Sequence, residues 1–459
     1  MKKFLFTAAL LALVVTSNAQ NGLGMPLTLG RGGVATTFNT DDEAIGINPA
    51  NLGYSKFGFS ITAFNYGVQA HSEKLSLSQL SRIFLDRKRS FSDQEKEQLS
   101  QLFSTDNGLN FLSHTRFVAA SVQVPVLGSF AASLEGYSTG HVSLNENAAD
   151  IIFNGNNADV FESGEYQNKY ASELLDGTKI SYQQFRTLNI AYGREVFSFG
   201  GTGDIDLVKL YIGAGYRYIW GMRHLDVEAK DGNFHALSSF SSDKSIDYGT
   251  IRNFSPSNAE NLFNSSGRGY ALDFGVNAKI GGMVKVGAAI INSGKVTWET
   301  NVLAAADTTL NRPAFNDGIE NYKFGDQAEL FYGENGVFKF ENGEKFETKL
   351  PTQFRLGIGF QPVPMLQIGA DYVVPLNNAN PTLDASAYSF AAQVNVGLVK
   401  ISTGFSINEQ FGGGAVPLGF QLNMGIMQLS LATGDVLTLI NGEDNPNASF
   451  GAAAFRFSL

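Results

Sequence analysis

The sequence predicts an all-β fold, a transmembrane antiparallel β-barrel of about 14 strands with an N-terminal lumenal hatch and helical and hairpin extracellular loops. Three observations lead there. Segments of strict period-two alternation recur near 56–66, 115–125, 128–142, 181–197, 206–222, 268–280, 283–299, 352–362, 365–375, 386–397, 399–408, 416–426, 427–434 and 449–459. Their connections alternate between tight links, such as Pro125-Val126-Leu127-Gly128, Gly281-Gly282, Gln361-Pro362-Val363-Pro364 and Gly397-Leu398, and polar excursions over 66–114, 143–180, 223–267 and 299–351, with shorter ones near 376–385, 409–415 and 435–448. Beyond the N-terminal leader no apolar run approaches the roughly 18 residues that a membrane helix needs. An outer-membrane barrel with all its long loops on one side has this rhythm.

The N-terminus reads as an export signal. Lys2 and Lys3 precede an apolar run from Phe4 to Val15, and Ser17-Asn18-Ala19 offers small residues for cleavage after Ala19. Residues 1–19 are therefore expected to be a signal peptide, with Gln20 the mature start and no cysteine to carry a lipid anchor. Residues 20–55 lack alternation and are dense in glycine and turn formers, including Gly30-Arg31-Gly32-Gly33 and the stretch Thr40 to Gly53. They are expected to plug the lumen of a barrel made by residues 56–459.

Composition agrees. A chain of 459 residues with 50 glycines, 37 phenylalanines, 16 tyrosines and no cysteine shows no break that would divide it into two domains. Without cysteine there are no disulfides, thiolate metal sites or thiol nucleophiles. A formal charge of -10 disfavours nucleic acid as a partner and suits acidic loops around a barrel.

Each strand separates an apolar face from a small or polar one. Tyr270, Leu272, Phe274, Val276, Ala278 and Ile280 oppose Ala271, Asp273, Gly275, Asn277 and Lys279, and Val208, Leu210, Ile212, Ala214, Tyr216, Tyr218 and Trp220 oppose Lys209, Tyr211, Gly213, Gly215 and Arg217. A soluble sandwich also alternates, but its polar face carries Lys, Glu, Thr and Ser, whereas Gly, Ala, Asn, Gln and Ser suit a crowded lumen. Tyr216, Tyr218, Trp220, Tyr270, Trp298, Tyr372 and Tyr388 lie toward strand ends, where aromatic girdles meet the bilayer surface. A turn centred on Val363 places Phe360 opposite Leu366 on the lipid face and Arg355 opposite Asp371 as a lumenal charge pair. The ending Phe455, Phe457, Leu459 resembles the C-terminal signal of outer-membrane barrels, with leucine where an aromatic is usual.

Acidic residues, a small residue and then Asn48-Pro49-Ala50, shortly before the first strand, resemble the N-terminal region of the FadL and PorV superfamily of outer-membrane barrels, most closely an uncharacterised Bacteroidota branch of unknown function. The resemblance implies a fourteen-stranded barrel whose lumen holds an N-terminal hatch, with Asn48, Pro49 and Ala50 in the hatch motif. It implies either passive uptake of hydrophobic small molecules, as in FadL, or a barrel that binds proteins as a secretion or surface-assembly accessory, as in PorV. The expected partners are outer-membrane lipid and, at the extracellular loops, a hydrophobic ligand or a protein. Read from its residues alone, the triplet is a stiff turn, because Pro49 fixes φ and Asn48 bonds its own backbone.

Two loops carry further signals. Leu80, Ile83 and Phe84 precede Asp86-Arg87-Lys88-Arg89, and Ser92-Asp93-Gln94-Glu95 has capping-box spacing ahead of Leu99, Leu102 and Phe103. Two amphipathic helices presenting an extracellular apolar surface fit this pattern. Gly336 to Phe340 and Lys345 to Thr348, around Glu341-Asn342-Gly343-Glu344, read as an exposed hairpin suited to a protein partner. No catalytic set, cofactor site or metal site is read. Gly136-Tyr137-Ser138-Thr139-Gly140 matches the nucleophile-elbow pattern, with His141 following, but lies within a barrel strand where that turn has no place. The other histidines, His71, His114, His224 and His235, lack metal-ligand spacing.

Overall fold

The computed structural model describes residues 24–56, 58–72, 74–76, 78–79, 89–104, 108–200, 207–241, 264–313, 318–321, 336–379, 386–408, 413–441 and 447–459. The expected signal peptide, residues 1–19, lies outside them. Fourteen strands form the wall: β1 Phe59–Ser72, β2 Leu109–Val124, β3 Gly128–Ser143, β4 Lys179–Phe199, β5 Val208–Lys230, β6 Gly267–Ile280, β7 Val284–Trp298, β8 Gln353–Val363, β9 Leu366–Pro375, β10 Ala387–Val396, β11 Val399–Asn408, β12 Leu418–Met424, β13 Met427–Thr433 and β14 Asn447–Ser458. Each pairs antiparallel with its neighbours, and β1 pairs with both β2 and β14, so the last strand returns to the first and no edge is left open.

The alternation maps onto the wall as expected. Phe274, Val276, Ile358 and Phe390 are 50–63% exposed on the outer face, whereas Asp273, Asn277 and Arg355 are at most 3% exposed inside. An exterior of this kind is complementary to hydrocarbon rather than to water.

The strands outrun their expected ends at the long-loop side. β1 continues to Ser72, β2 begins at Leu109, and β5 spans 23 residues, which at about 3.3 Å per residue is more than twice the height of an apolar membrane band. This surplus carries a cap. Short strands Asn233–Phe240, Val302–Ala305, Phe340–Asn342 and Phe346–Lys349 extend it, and the helices Asp93–Phe103 and Glu146–Asn154 pack beneath them. The Asp93–Phe103 helix begins with the expected capping box, the Ser92 and Glu95 side chains each bonding the other's backbone N–H.

Four expectations are corrected. The residues around Glu341-Asn342-Gly343-Glu344 do not pair with each other as a hairpin: Phe340–Asn342 adds to Val302–Ala305, and Phe346–Lys349 adds to β7. Val337, Phe338 and Phe340 are buried in the cap, because an apolar strand gains more by covering that core than by projecting into water. Leu99 and Phe103 likewise face inward and Leu102 is half-buried, with Phe103 ringed against Phe153 at 5.6 Å, so this helix offers no free apolar face; Leu80, Ile83 and Phe84 lie outside the described residues.

The β8–β9 register also differs. Ile358 stands opposite Ala370, but Phe360 faces Ile368, Arg355 faces Val373 and Asp371 faces Gly357, because the strand is irregular between Phe360 and Val363, where Pro362 offers no N–H to the ladder. Finally, Trp298 is fully buried inside the barrel instead of joining an outer girdle. Between Leu272 and Phe274 of β6 the pairing with β7 skips, Asn292 adopts φ +60°, and the side-chain parity of β7 reverses beyond that bulge.

Closure predicts a specific cross-link. Cysteines replacing Ala63 and Phe455, which are paired across β1 and β14, should oxidise to an intramolecular disulfide that survives heat denaturation, whereas Ala63 with Gly451 should not. Outside the membrane band, His235 Nε2 lies 3.0 Å from Asp226 Oδ2, and this hydrogen bond raises the imidazole pKa above its ordinary value. A raised folded pKa stabilises fully below the unfolded value and is lost as pH rises through the folded one. Protease cleavage in the Asn233–Phe240 hairpin should therefore increase on passing from neutral to alkaline pH, and Asp226→Asn should flatten that dependence.

Candidate functional site

Residues 24–56 run through the lumen and are almost wholly buried. Their local structure follows from their residues. Pro26 and Pro49 open helical turns at a position where no N–H is required, and the Asn48 side chain accepts a hydrogen bond from Ala50 N at 3.1 Å as an N-cap. The Asn48 Nδ2 donates to Thr36 O and, across to the wall, to Val276 O, both at 3.2 Å.

The wall receives this segment on glycine. A Cβ built on Gly213 would fall 2.2 Å from the Pro49 carbonyl carbon, one on Gly193 2.3 Å from Pro49 O, and one on Gly275 2.0 Å from Asn48 Oδ1. Further round the same side of the wall, past β7, a Cβ on Gly357 would meet Thr36 Cβ at 2.6 Å and one on Gly369 would meet the Phe38 ring at 2.5 Å. At Gly193 and Gly213 backbone therefore meets backbone, while Gly275, Gly357 and Gly369 make room for the side chains of Asn48, Thr36 and Phe38.

Carboxylates anchor the segment. Asp371 Oδ2 accepts from Ala35 N at 2.9 Å, Thr36 N at 2.8 Å, Thr36 Oγ1 at 2.6 Å and Arg355 Nη2 at 3.3 Å. Arg355 and Asp371 are thus in contact, diagonally across the β8–β9 pair, and Arg355 Nη2 also reaches Gly33 O at 3.2 Å. Asp42 accepts from Ser60 Oγ and Thr62 Oγ1 of β1, each at 2.6 Å, and from Arg456 Nη2 of β14 at 3.0 Å. It therefore ties the segment to both strands of the closing seam. Glu135 takes Arg116 Nε at 2.8 Å and His114 Nε2 at 3.1 Å, and His114 Nδ1 accepts Gly24 N at 3.0 Å. That geometry places the His114 proton on Nε2.

Toward the cap the lumen becomes aromatic. Phe185, Ile219, Ala271, Val296, Trp298 and Leu350 form one buried cluster, with Tyr137 and Phe346 packed against it. Trp298 lies over Gly221 and Gly267, where a Cβ would come within 2.8 Å of its ring. The bulge that turns it inward is held by Asp273, whose Oδ1 accepts Asn292 N at 2.8 Å while Oδ2 takes Arg217 Nη2 at 2.8 Å.

Of the residues singled out from sequence, Asn48, Pro49 and Ala50 meet the glycine wall, and Arg355 and Asp371 meet each other and Thr36. Asp42, Glu135, Arg116, Arg217, Asp273 and Arg456 escaped notice as lumenal anchors. Their signal was available: each is a charge in a glycine-rich segment or on the wet face of an alternating strand. Ser138 lies mid-strand in β3 with opposite parity to His141, whose Nδ1 is 2.7 Å from Asn110 Oδ1, so the two point to different sides of the wall.

No curated protein matches the sequence. The model of a family of unknown function, DUF5723, matches residues 49–434. The chain belongs to this family. Among solved structures, the Ralstonia pickettii toluene transporter TbuX is 12% identical, covering 96% of this chain and 99% of its own with a TM-score of 0.50. A TodX mutant lacking S2 and S3, described as a monoaromatic hydrocarbon channel, gives 12%, 96%, 99% and 0.50. A Pseudomonas aeruginosa FadL homologue gives 12%, 97%, 96% and 0.40. At such identity the likeness to the first two is one of fold, and this DUF5723 member shares with them a barrel over nearly its whole length.

Three substitutions test the docking. Gly213→Ala should displace the N-terminal segment and raise ion conductance in planar bilayers, whereas Gly58→Ala, whose Cβ would meet nothing nearer than 3.6 Å, should leave it unchanged. Asp371→Ala leaves the Arg355 guanidinium buried without its carboxylate and should cost about 3–5 kcal/mol, seen as a lower temperature for the heat-induced band shift of the folded barrel.

Proposed function

We propose that this protein is an outer-membrane conduit of a Gram-negative bacterium, within Bacteroidota by resemblance, that takes up hydrophobic small molecules passively, with residues 20–55 as its hatch. The observation that carries the reading is the aromatic and aliphatic cluster around Trp298 on a lumen wall whose other inward residues are mostly small or polar. A water-filled pore has no use for such a lining, whereas an apolar solute crossing the wall needs somewhere to leave water. The apolar exterior supports membrane insertion, and an N-terminal segment packed tightly against the wall supports a closed resting state. The likeness in fold to the toluene transporter TbuX is in keeping with this assignment. A protein-binding accessory role rested on a projecting hairpin at 336–349, and the burial of Val337, Phe338 and Phe340 removes that support.

Expression in an outer-membrane-intact host should speed uptake of a labelled alkylbenzene in the linear, energy-independent manner of a passive path; an unchanged rate with folded protein in the membrane would refute the proposal. Deleting residues 22–50 should convert the barrel into an open pore, with larger single-channel conductance in planar bilayers. An impermeant maleimide on intact cells should label a cysteine at Lys169 and spare one at Met283, which become accessible together only after the outer membrane is opened.

A further inference from the structure

The lumenal cluster contains two buried polar atoms that the conduit reading does not use. On the lumen face of the β4–β5 pair, Gln183 stands directly opposite His224, and Phe185 of the same face stands opposite Gly221. Gln183 is 7% exposed and His224 4% exposed. Among the described residues, Gln183 Oε1 and His224 Nδ1 have no hydrogen-bond partner. Aromatic rings lie against the histidine: the His224 ring is 5.2 Å from Trp298 and 5.1 Å from Phe346, and Phe185, two residues along β4 from Gln183, is 6.0 Å from Trp298. Phe346 is half-buried and closes the patch from the cap side. Further along β4 toward the N-terminal segment, Thr187 Oγ1 and Asn189 Oδ1 on the same face are also unpartnered and buried.

Buried polar atoms in proteins are generally paired, and two unpaired atoms on directly opposed residues beside an apolar cluster mark a place where a ligand supplies the partner. We propose that this patch is a recognition site for small aromatic alcohols of the phenol class. The proposal rests on the conduit reading and specifies its ligand. The aromatic walls accept a flat ring in stacked or edge-on contact. The polar pair selects the substituent. A hydroxyl donates its single proton to the Gln183 carbonyl oxygen and uses its lone pairs toward an Nδ1–H of His224, so one O–H satisfies both atoms. A hydrocarbon of the same shape leaves both unmet, and a site built around hydrogen-bonding atoms discriminates against such an analogue. The remaining unpartnered oxygens of Thr187 and Asn189 continue the polar stripe toward the segment anchored at Gly193 and Gly213.

The chain carries its own reporter, since its 2 tryptophans are Trp298 in the site and Trp220, which adjoins the inward Gly221 and so points to the outer face of β5. In purified full-length Trp220→Phe protein, quenching of Trp298 should be titrated with 4-methylphenol and with p-xylene, which differ only by hydroxyl against methyl. The phenol should bind about tenfold tighter or more. His224→Phe and Gln183→Met, each close in size to the residue replaced, should each reduce that ratio toward unity by weakening the phenol alone. The parent comparison needs no change at the site, so a variant that fails to fold does not stop the test. Equal affinities for the two compounds in the parent, or a preference that survives both substitutions, would overturn the phenol assignment while leaving the conduit reading intact. Absence of quenching by either compound would overturn both.

Discussion

A closed wall of fourteen strands encloses more space than its own inward side chains fill, and the backbone of residues 24–56 supplies the missing matter. Much of the interior follows from this constraint. The segment approaches closely where the wall has no side chains, its backbone at Gly193 and Gly213 and its Asn48, Thr36 and Phe38 side chains at Gly275, Gly357 and Gly369. Every buried amide and carbonyl brought in must be satisfied, and the lumen does so with side chains of Asn48, Asn51, Asp371 and Arg355.

The same constraint explains the buried charges. An isolated carboxylate in such an interior is strongly disfavoured, and each acidic anchor collects several donors, four at Asp371 and a hydroxyl pair plus a guanidinium at Asp42. Asp42 has an added consequence. Its donors come from β1 and β14, the strands whose pairing closes the barrel, so seating of the N-terminal segment and closure of the wall reinforce one another.

A second chain of contacts links this segment to the aromatic cluster around Trp298. Gly46 lies against Arg217, Arg217 binds Asp273, and Asp273 holds the bulge at Asn292 beyond which Trp298 turns into the lumen. Position along β7 and position in the lumen are thus coupled through one carboxylate.

The sequence by itself determined the fold class, the strand count, the tight links and the two faces of nearly every strand, because a wall between lipid and lumen obliges each residue to choose a side by polarity. It also marked Asn48-Pro49-Ala50 and brought Arg355 near Asp371, since both rest on local stiffness or on neighbouring strands. Only the tertiary structure decided the rest. Trp298 reverses face because a two-for-one bulge, fixed by an aspartate on another strand, is invisible to a period-two count. The register of β8 against β9 depends on an irregularity at Pro362, and the fate of residues 336–349 on a cap core assembled from four distant loops. Asp42 and Arg456, 414 positions apart, become partners only because the chain closes on itself, and a linear pattern holds no information about which distant charge will share a desolvated site.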